Sequence, residues 1–262
     1  MTSIPLRFRE SFAWGLLGLA LFLGLWSFLS TSGIVPRQFL PTPVEVAMRF
    51  YALLSTPSAG ATLPLHLVSS LKRYAYGVCL AAAIGIPLGL LIGWFRWLDD
   101  IVTPIFDGLR FIAPLAWVPF AALWFGTGIG GPIMIIFAGA FPQCLINAYR
   151  GARFVEPRLI EAARMLGTGH RRMILEILLP AATPSIVAGL RVSAGLGWQS
   201  LVGAELIVAA AGVGFMMVQA QGIVSTTTVM SGMIAIGLVG MSIDVLLRQG
   251  EAWLRHHRGL EA

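Results

Sequence analysis

Long intervals without a single charged residue constrain this chain more than any other feature. No Asp, Glu, Lys or Arg occurs in residues 11–36, 74–95, 111–149 or 206–243. A helix that crosses the bilayer needs about 20 apolar residues, so the two shorter intervals can hold one crossing each and the two longer ones can hold more. Only 11% of the chain is charged, whereas soluble domains carry about 25%. The sequence therefore predicts an all-α integral membrane protein.

The apolar intervals predict about six transmembrane helices, at residues 11–32, 74–95, 101–125, 132–149, 184–208 and 229–247. The third segment is longer than a straight crossing requires and contains several prolines. We therefore expect a short interfacial helix over residues 99–110 and a break near Pro114. The pair Thr183-Pro184 is typical of a helix start, because threonine caps a helix and proline is tolerated at its first position.

The basic residues predict the orientation. With the N-terminus inside, cytoplasmic segments hold twelve Arg or Lys residues and outer segments hold four, as expected from the excess of positive charge on the cytoplasmic side. The inverted topology would export the arginine-rich segment 150–172. Lys72 and Arg73 are expected to extend to the headgroups at a span entrance.

The net charge of +6 follows from this distribution of basic residues. Nucleic acid is not expected as a partner, because no nucleic-acid motif accompanies the positive charge.

The loop before the fifth predicted span carries a spaced pattern, E-A-A-x₃-G-x₉-I-x-L-P, whose fixed positions are Glu161, Ala162, Ala163, Gly167, Ile177, Leu179 and Pro180. Pro157 favours a helix start, and Gly167 permits the left-handed conformation that ends a helix and reverses the chain. A second short helix, 170–178, is expected to stop at Pro180. The loop is then a compact pair of helices. An amphipathic helix lying on lipid headgroups is the alternative interpretation.

This pattern resembles the cytoplasmic coupling loop of permease subunits in ABC importers. The segment L-R-F-I-A-P-L-A-W-V-P at 109–119 with W-F-G-T-G at 124–128, and G-W-Q-S-L-V-G-A-E-L-I at 197–207, are similar to the permeases of taurine, sulfonate, nitrate and bicarbonate importers. The resemblance covers about residues 65–244. Ala113 departs from it, because these permeases commonly have proline there.

The resemblance implies a type I ABC importer permease fold in a multi-pass protein of the bacterial inner membrane. The distribution of basic residues predicts that both termini are cytoplasmic. The resemblance also implies one permease domain over residues 1–262, with a core at about 65–247 and a coupling loop at about 150–180. The seven residues of the spaced pattern are then the ATPase-coupling residues, and the transported solute is small and anionic.

The partners implied by the resemblance are a second copy of the permease, two ATPase subunits, an extracytoplasmic solute-binding protein and membrane lipid. No cofactor or metal is expected in this chain, and it is not expected to be an enzyme, because it contains no Walker A sequence and no catalytic cluster. ATP and Mg²⁺ are expected on the partner ATPase.

Polar residues inside predicted spans are candidates for the translocation pathway: Arg110, Arg191, Trp198, Gln199 and Glu205. Arg191 lies about 12 Å of helix past the predicted start of its span, too deep for a headgroup anchor. Asp107 and Arg110 are three residues apart and are expected to pair. Charge pairing and packing between spans is the competing interpretation of these residues, and it is slightly favoured.

Other functional classes remain open. A secondary transporter or a channel would need no ATPase, and the spaced loop pattern argues against it. A membrane-embedded enzyme would need a catalytic cluster. An importer permease for a different small solute is the nearest alternative, because the binding protein is expected to select the solute.

Overall fold

The computed structural model describes residues 6–126 and 128–257. These residues form helices and turns, with no strand and one isolated bridge between Ser58 and Ala61. The helices are α1 Leu6–Thr31, α2 Pro43–Ser55, α3 Leu63–Trp94, α4 Arg96–Leu109, α5 Val118–Phe125, α6 Gly130–Arg153, α7 Pro157–Met165, α8 His170–Arg172, α9 Leu179–Ile207, α10 Val213–Gly222 and α11 Thr226–His257. A 3₁₀ turn, Pro114–Trp117, precedes α5, and a π-helical turn, Met173–Leu178, joins α8 to α9.

Five of the described helical stretches are long and apolar enough to cross a membrane: Trp14–Thr31, Leu63–Trp94, Gly130–Arg153, His170–Ile207 and Thr226–Leu254. A sixth crossing is possible where Arg96–Leu109 and Pro114–Phe125 meet at 88°. The all-α membrane class and the number of about six spans are thus confirmed. The third span is also broken as expected, because α4 ends at Leu109 and the next helical turn begins at Pro114.

The predicted helix start at Thr183-Pro184 and the predicted stop at Pro180 are wrong, because one continuous stretch runs from His170 to Ile207. The Thr183 hydroxyl donates to the Leu179 carbonyl at 2.8 Å instead of capping a new helix. A proline inside a membrane helix removes one N–H, and side chains and packed neighbours can satisfy the backbone groups that it frees. Proline is therefore a weaker boundary signal here than in a soluble protein.

The chain divides into two compact units. The first comprises the part up to Pro64 together with Met216–Ile234. Within it, α2 begins with a capping box, in which the Thr42 N–H donates to the Glu45 carboxylate at 2.8 Å and the Glu45 N–H donates to the Thr42 hydroxyl at 3.2 Å. The hydrogen bond from the Thr42 N–H to the carboxylate lowers the pKa of Glu45 below its ordinary value.

The second unit comprises Leu65–Phe215 and the part from Ala235 onward. Its helices α3, α6 and α9 approach so closely that glycine is required where they meet. A Cβ on Gly89 of α3 would lie 2.4 Å from the Leu145 carbonyl oxygen of α6. A Cβ on Gly139 of α6 would lie 2.1 Å from the Ser200 hydroxyl of α9. Small residues that allow such backbone approach are typical of helix contacts in membranes.

The Gly89 contact generates a stability prediction. Gly89→Ala places a methyl group against the backbone of α6, and overpacking of this kind costs about 1–3 kcal/mol. We expect a lower thermal midpoint for the purified protein in detergent. Gly237→Ala in α11 is the control, because nothing lies within 4 Å of the added Cβ, and its midpoint should not fall. Equal midpoints for the two variants would contradict the packing described here.

Candidate functional site

The loop after α6 folds locally as its sequence indicates. Helix α7 has Pro157 at its first position. Gly167 has φ +74°, and its N–H donates to the Arg164 carbonyl at 2.9 Å, while the Thr168 N–H donates to the Ala163 carbonyl at 3.1 Å. These bonds close the end of the helix and turn the chain back toward α8, as predicted for a glycine in the left-handed region.

Helix α7 divides the spaced pattern between two faces. Glu161 and Ala162 are exposed, whereas Ala163 is buried with 5% of its surface accessible. Met165 and Leu166, at the end of the helix, are 89% and 86% exposed. The loop therefore presents an acidic side chain and two large apolar side chains outward, while Ala163 serves the packing of the loop.

The second half of the pattern anchors the loop to the helices. Leu178 is fully buried and packs in one cluster with Leu90, Ala148, Val155 and Ala182, together with Ala152. The flanking Ile177 and Leu179 are half-buried and Pro180 is exposed. Because Ile160 of α7 and Ile174 of the π-helical turn pack against the same cluster, both halves of the loop rest on α3 and α6.

Aromatic contacts tie the loop to the end of α3. The Arg164 guanidinium lies 6.0 Å from the centre of the Trp94 ring. The His170 ring lies 6.4 Å from the Trp94 ring and stacks at 6.4 Å on Phe95. Trp94 at the end of α3 and the adjoining Phe95 thus help to position α7 and α8, in addition to the chain connections.

Two pathway candidates share one groove. Arg110 and Gln199 line a groove of about 320 Å³ together with Pro114, Gln143 and Ser200. Both candidates are exposed. The guanidinium of Arg110 pairs with Asp107 at 3.0 Å, as expected, and lies 4.9 Å from the centre of the Phe111 ring. The structure therefore brings one exposed cation and one amide to the same surface.

Trp198 does not line this groove. Only 8% of its surface is exposed, and its indole N–H donates to the Ile236 carbonyl at 3.2 Å. The Tyr74 ring meets it edge-on at 5.4 Å. The indole fills the space between α3, α9 and α11. Trp198 therefore packs helices together, as the competing interpretation of the pathway candidates expects.

Arg191 joins α9 to α11. Its Nε lies 3.0 Å from Asp244 Oδ1, and its Nη1 lies 3.5 Å from Glu251 Oε2. Asp244 also pairs with Arg248 at 2.8 Å. Arg191, Asp244 and Glu251 border a groove of about 490 Å³ that Arg110 does not line. The arrangement is a charge network between two spans, which agrees with the interpretation of Arg191 as a residue that pairs charges between spans.

Glu205 is buried in a polar cluster. Its side chain is 2% exposed, and its carboxylate lies 3.0 Å from Arg73 Nη1. The Ser70 hydroxyl lies 2.7 and 2.8 Å from the two carboxylate oxygens, and the Gly214 N–H donates at 3.0 Å. The expectation that Arg73 extends to the headgroups is wrong, since its side chain is 8% exposed. The buried carboxylate draws this cation inward because it would otherwise lie in the interior without a counter-charge.

Sequence reasoning missed most of this cluster. His66, Ser70 and Arg73 recur at helical spacing on α3 and contact the segment that follows α9. The Gly212 N–H donates to His66 Nδ1 at 3.2 Å, the Val213 N–H donates to the Ser70 hydroxyl at 3.1 Å, and Arg73 donates to the Ala211 carbonyl. The spacing of these three polar residues, opposite a lone acid in another apolar helix, was the signal that could have revealed the cluster.

The buried pair generates a second stability prediction. Glu205→Gln keeps the shape of the side chain but leaves the Arg73 guanidinium without its counter-charge. Breaking a buried pair from one side costs about 3–5 kcal/mol, so we expect a much lower thermal midpoint in detergent.

Asp107→Asn is the matched control for Glu205→Gln. It removes the same charge from a pair whose side chains are 35% and 49% exposed, and exposed pairs contribute about 0–1 kcal/mol. Equal losses in the two variants would contradict the role of burial.

Comparison with known proteins places this geometry in context. Residues 85–256 match the family described as binding-protein-dependent transport system inner membrane component. SsuC of Bacillus subtilis, named for aliphatic sulfonates transport, is 35% identical over 242 residues, which are 92% of this chain and 86% of that protein. The taurine transport system permease protein TauC of Escherichia coli is 33% identical over 231 residues, which are 88% of this chain and 84% of that protein.

A solved structure of the MetNI methionine ABC transporter in an inward-facing conformation superimposes with a TM-score of 0.58. The sequence identity is 21%, and the match covers 71% of this chain and 95% of that chain. This likeness confirms the expected type I ABC importer permease fold.

Proposed function

The chain belongs to the family of binding-protein-dependent transport system inner membrane components. We propose that it forms the translocation pathway of an ATP-driven importer. We further propose that residues 150–180 couple it to a separate ATPase. The observation that carries the coupling proposal is the outward face of α7. Glu161 and two large apolar side chains project from a short helix whose opposite side is packed against the rest of the unit.

The outward face suits a groove on another protein. Met165 and Leu166 supply apolar area, and Glu161 supplies a charge that a Lys or Arg of the partner would neutralise. A small residue at Ala162 leaves room for close approach. Met165 ends α7 and Leu166 follows it directly, next to the reversal at Gly167. Both side chains can therefore enter a pocket while the buried side of α7 keeps its contacts.

The connection to α9 supports transmission of movement. The stretch from His170 to Ile207 is helical throughout, so a displacement of α8 is carried directly into a membrane-crossing helix. Pro180 and Pro184 lie near the π-helical turn in this stretch. Irregular turns of this kind occur frequently at functional sites. This turn joins the loop to α9, so it is the point at which α9 would tilt if a bound ATPase moved the loop.

The partners proposed are a second copy of this chain, two ATPase subunits that bind ATP and Mg²⁺, and an extracytoplasmic solute-binding protein. ATP and the loaded binding protein would shift the complex between outward and inward access because each binds one of the two states more tightly. In this arrangement hydrolysis occurs on the partner, and this chain contributes the pathway and the coupling loop.

We propose a small anionic solute, in the class of organic sulfonates. The names of SsuC and TauC refer to aliphatic sulfonates and taurine, and the groove that Arg110 and Gln199 share offers a cation and an amide donor. Arg191 and Glu205 belong to the scaffold in this proposal, because each pairs with an opposite charge on another helix, whereas Arg110 pairs with Asp107 three residues before it.

Charge reversal on α7 tests the coupling proposal. In Glu161→Lys, the added cation faces the partner surface that the carboxylate would neutralise. We expect less ATPase to co-purify with the tagged variant, while its membrane insertion and thermal midpoint stay unchanged. Asp100→Lys makes the same charge change at an exposed position of α4 and should retain the ATPase. A normal amount of ATPase bound to Glu161→Lys would exclude the docking role of this residue.

The proposed orientation has both termini, the loop 150–180 and the end of α11 in the cytoplasm. Single cysteines at Ser58 and Thr168, in a background without Cys79 and Cys144, should then react with an impermeant reagent from opposite faces of the membrane. The measurement is labelling of intact cells compared with inside-out vesicles. Reaction of both positions from the same face would overturn the topology without affecting the family assignment.

A further inference from the structure

Helix α2 exposes a continuous stripe that contains no charge. Its exposed residues recur at helical spacing and are Val44, Ala47, Met48, Tyr51, Leu54 and Ser55. Val44, Met48 and Tyr51 are 65%, 61% and 76% exposed. A helix that faces water carries charged and polar residues on its outer side, so this stripe is unsuited to water.

The opposite side of α2 is already in contact with the protein. Val46 and Leu53 are fully buried, and the Ser231 hydroxyl donates to the Val46 carbonyl at 3.2 Å. Both charged residues of the helix are directed to partners within the first unit, because Glu45 completes the capping box and Arg49 Nε donates to the Thr228 hydroxyl at 2.9 Å. The helix is therefore apolar on both faces.

Hydrogen bonds hold the start of α2 beside the last turns of α1. The Trp26 indole N–H donates to the Pro41 carbonyl at 3.0 Å, and the Ser30 hydroxyl donates to the Leu40 carbonyl at 2.7 Å. The membrane-crossing part of α1, Trp14–Thr31, is about 27 Å long, close to the hydrocarbon thickness of about 30 Å. Helix α2 consequently begins at the depth where α1 leaves the hydrocarbon.

An apolar groove borders the same point. It has a volume of about 270 Å³ and is lined by Phe22, Leu25, Trp26, Leu29, Leu40 and Met230. The one polar group of these side chains, the Trp26 N–H, is bonded to Pro41. The groove thus offers a lining of the kind that suits a hydrocarbon chain, next to the helix with the uncharged stripe.

We propose that α2 is a lipid-binding interfacial helix, whose exposed stripe lies at the boundary between headgroups and acyl chains while one acyl chain occupies the groove beside α1. The occupant is lipid because the stripe carries no charge and its helix begins beside the last turns of α1, at the level of the bilayer boundary. Interfacial helices bury their apolar side in that layer. The proposal depends on the membrane crossing of α1 and is independent of ATPase coupling.

Collision accessibility of spin labels tests this proposal in the full complex reconstituted in nanodiscs. Single cysteines at Met48 and Tyr51, in the background without Cys79 and Cys144, carry a nitroxide. Leu21 of α1, which is 64% exposed, is the lipid-facing reference, and Thr168, measured in the permease before the ATPase is added, is the loop reference. We expect the labels at Met48 and Tyr51 to collide with oxygen in preference to a water-soluble nickel complex, in the same sense as Leu21 and opposite to Thr168.

Three results would overturn the proposal. Nickel accessibility equal to that of Thr168 would place the stripe in water. Dipolar broadening between labels at Met48 would place a second copy of the chain on it. Protection from nickel that requires added binding protein would make the stripe a docking surface for that protein. Elution of each labelled variant at the volume of the unlabelled complex is the control for folding.

Discussion

Close approach of α6 to α3 and α9 is the constraint on which the rest of the second unit depends. Glycines at positions 89, 139 and 189 lie where an added Cβ would be 2.1–2.4 Å from atoms of the facing helix. Lipid tails are as apolar as leucine, so helices in a membrane associate through packing and hydrogen bonds rather than through burial from water. The cluster around Leu178, which anchors the loop of residues 150–180, forms on this packed base.

The charged residues of the spans fall into two groups, those that pair with a charge on another helix and Arg110, which does not. Glu205 is enclosed with Arg73, and Arg191 is engaged by two acids on α11. Arg110 has only an exposed partner, Asp107, and remains at the wall of a groove. Glu205 and Arg191 therefore pair with charges on other helices, whereas Arg110 pairs with a residue three positions before it. Sequence position alone does not reveal the pairs between helices.

Several features could be predicted from sequence because their cause is local. Charge-free intervals predict spans, Pro114 predicts the break in the third span, and Gly167 predicts the reversal after α7. Predictions failed where distant residues decide the outcome. Arg73 was expected at the headgroups, but Glu205, 132 residues further along the chain, draws it inward. Thr183-Pro184 was expected to begin a helix, but the surrounding helices support an uninterrupted one.

We propose that this chain works as a pair of permease subunits driven by a separate ATPase. Native mass spectrometry can count the subunits of the complex isolated through a tag on this chain, from membranes of cells that express it with its natural partners. The expected particle contains two copies of this chain and two copies of a protein that contains a Walker A sequence. A particle that contains this chain without any ATPase, and that still transports solute after reconstitution, would contradict this proposal.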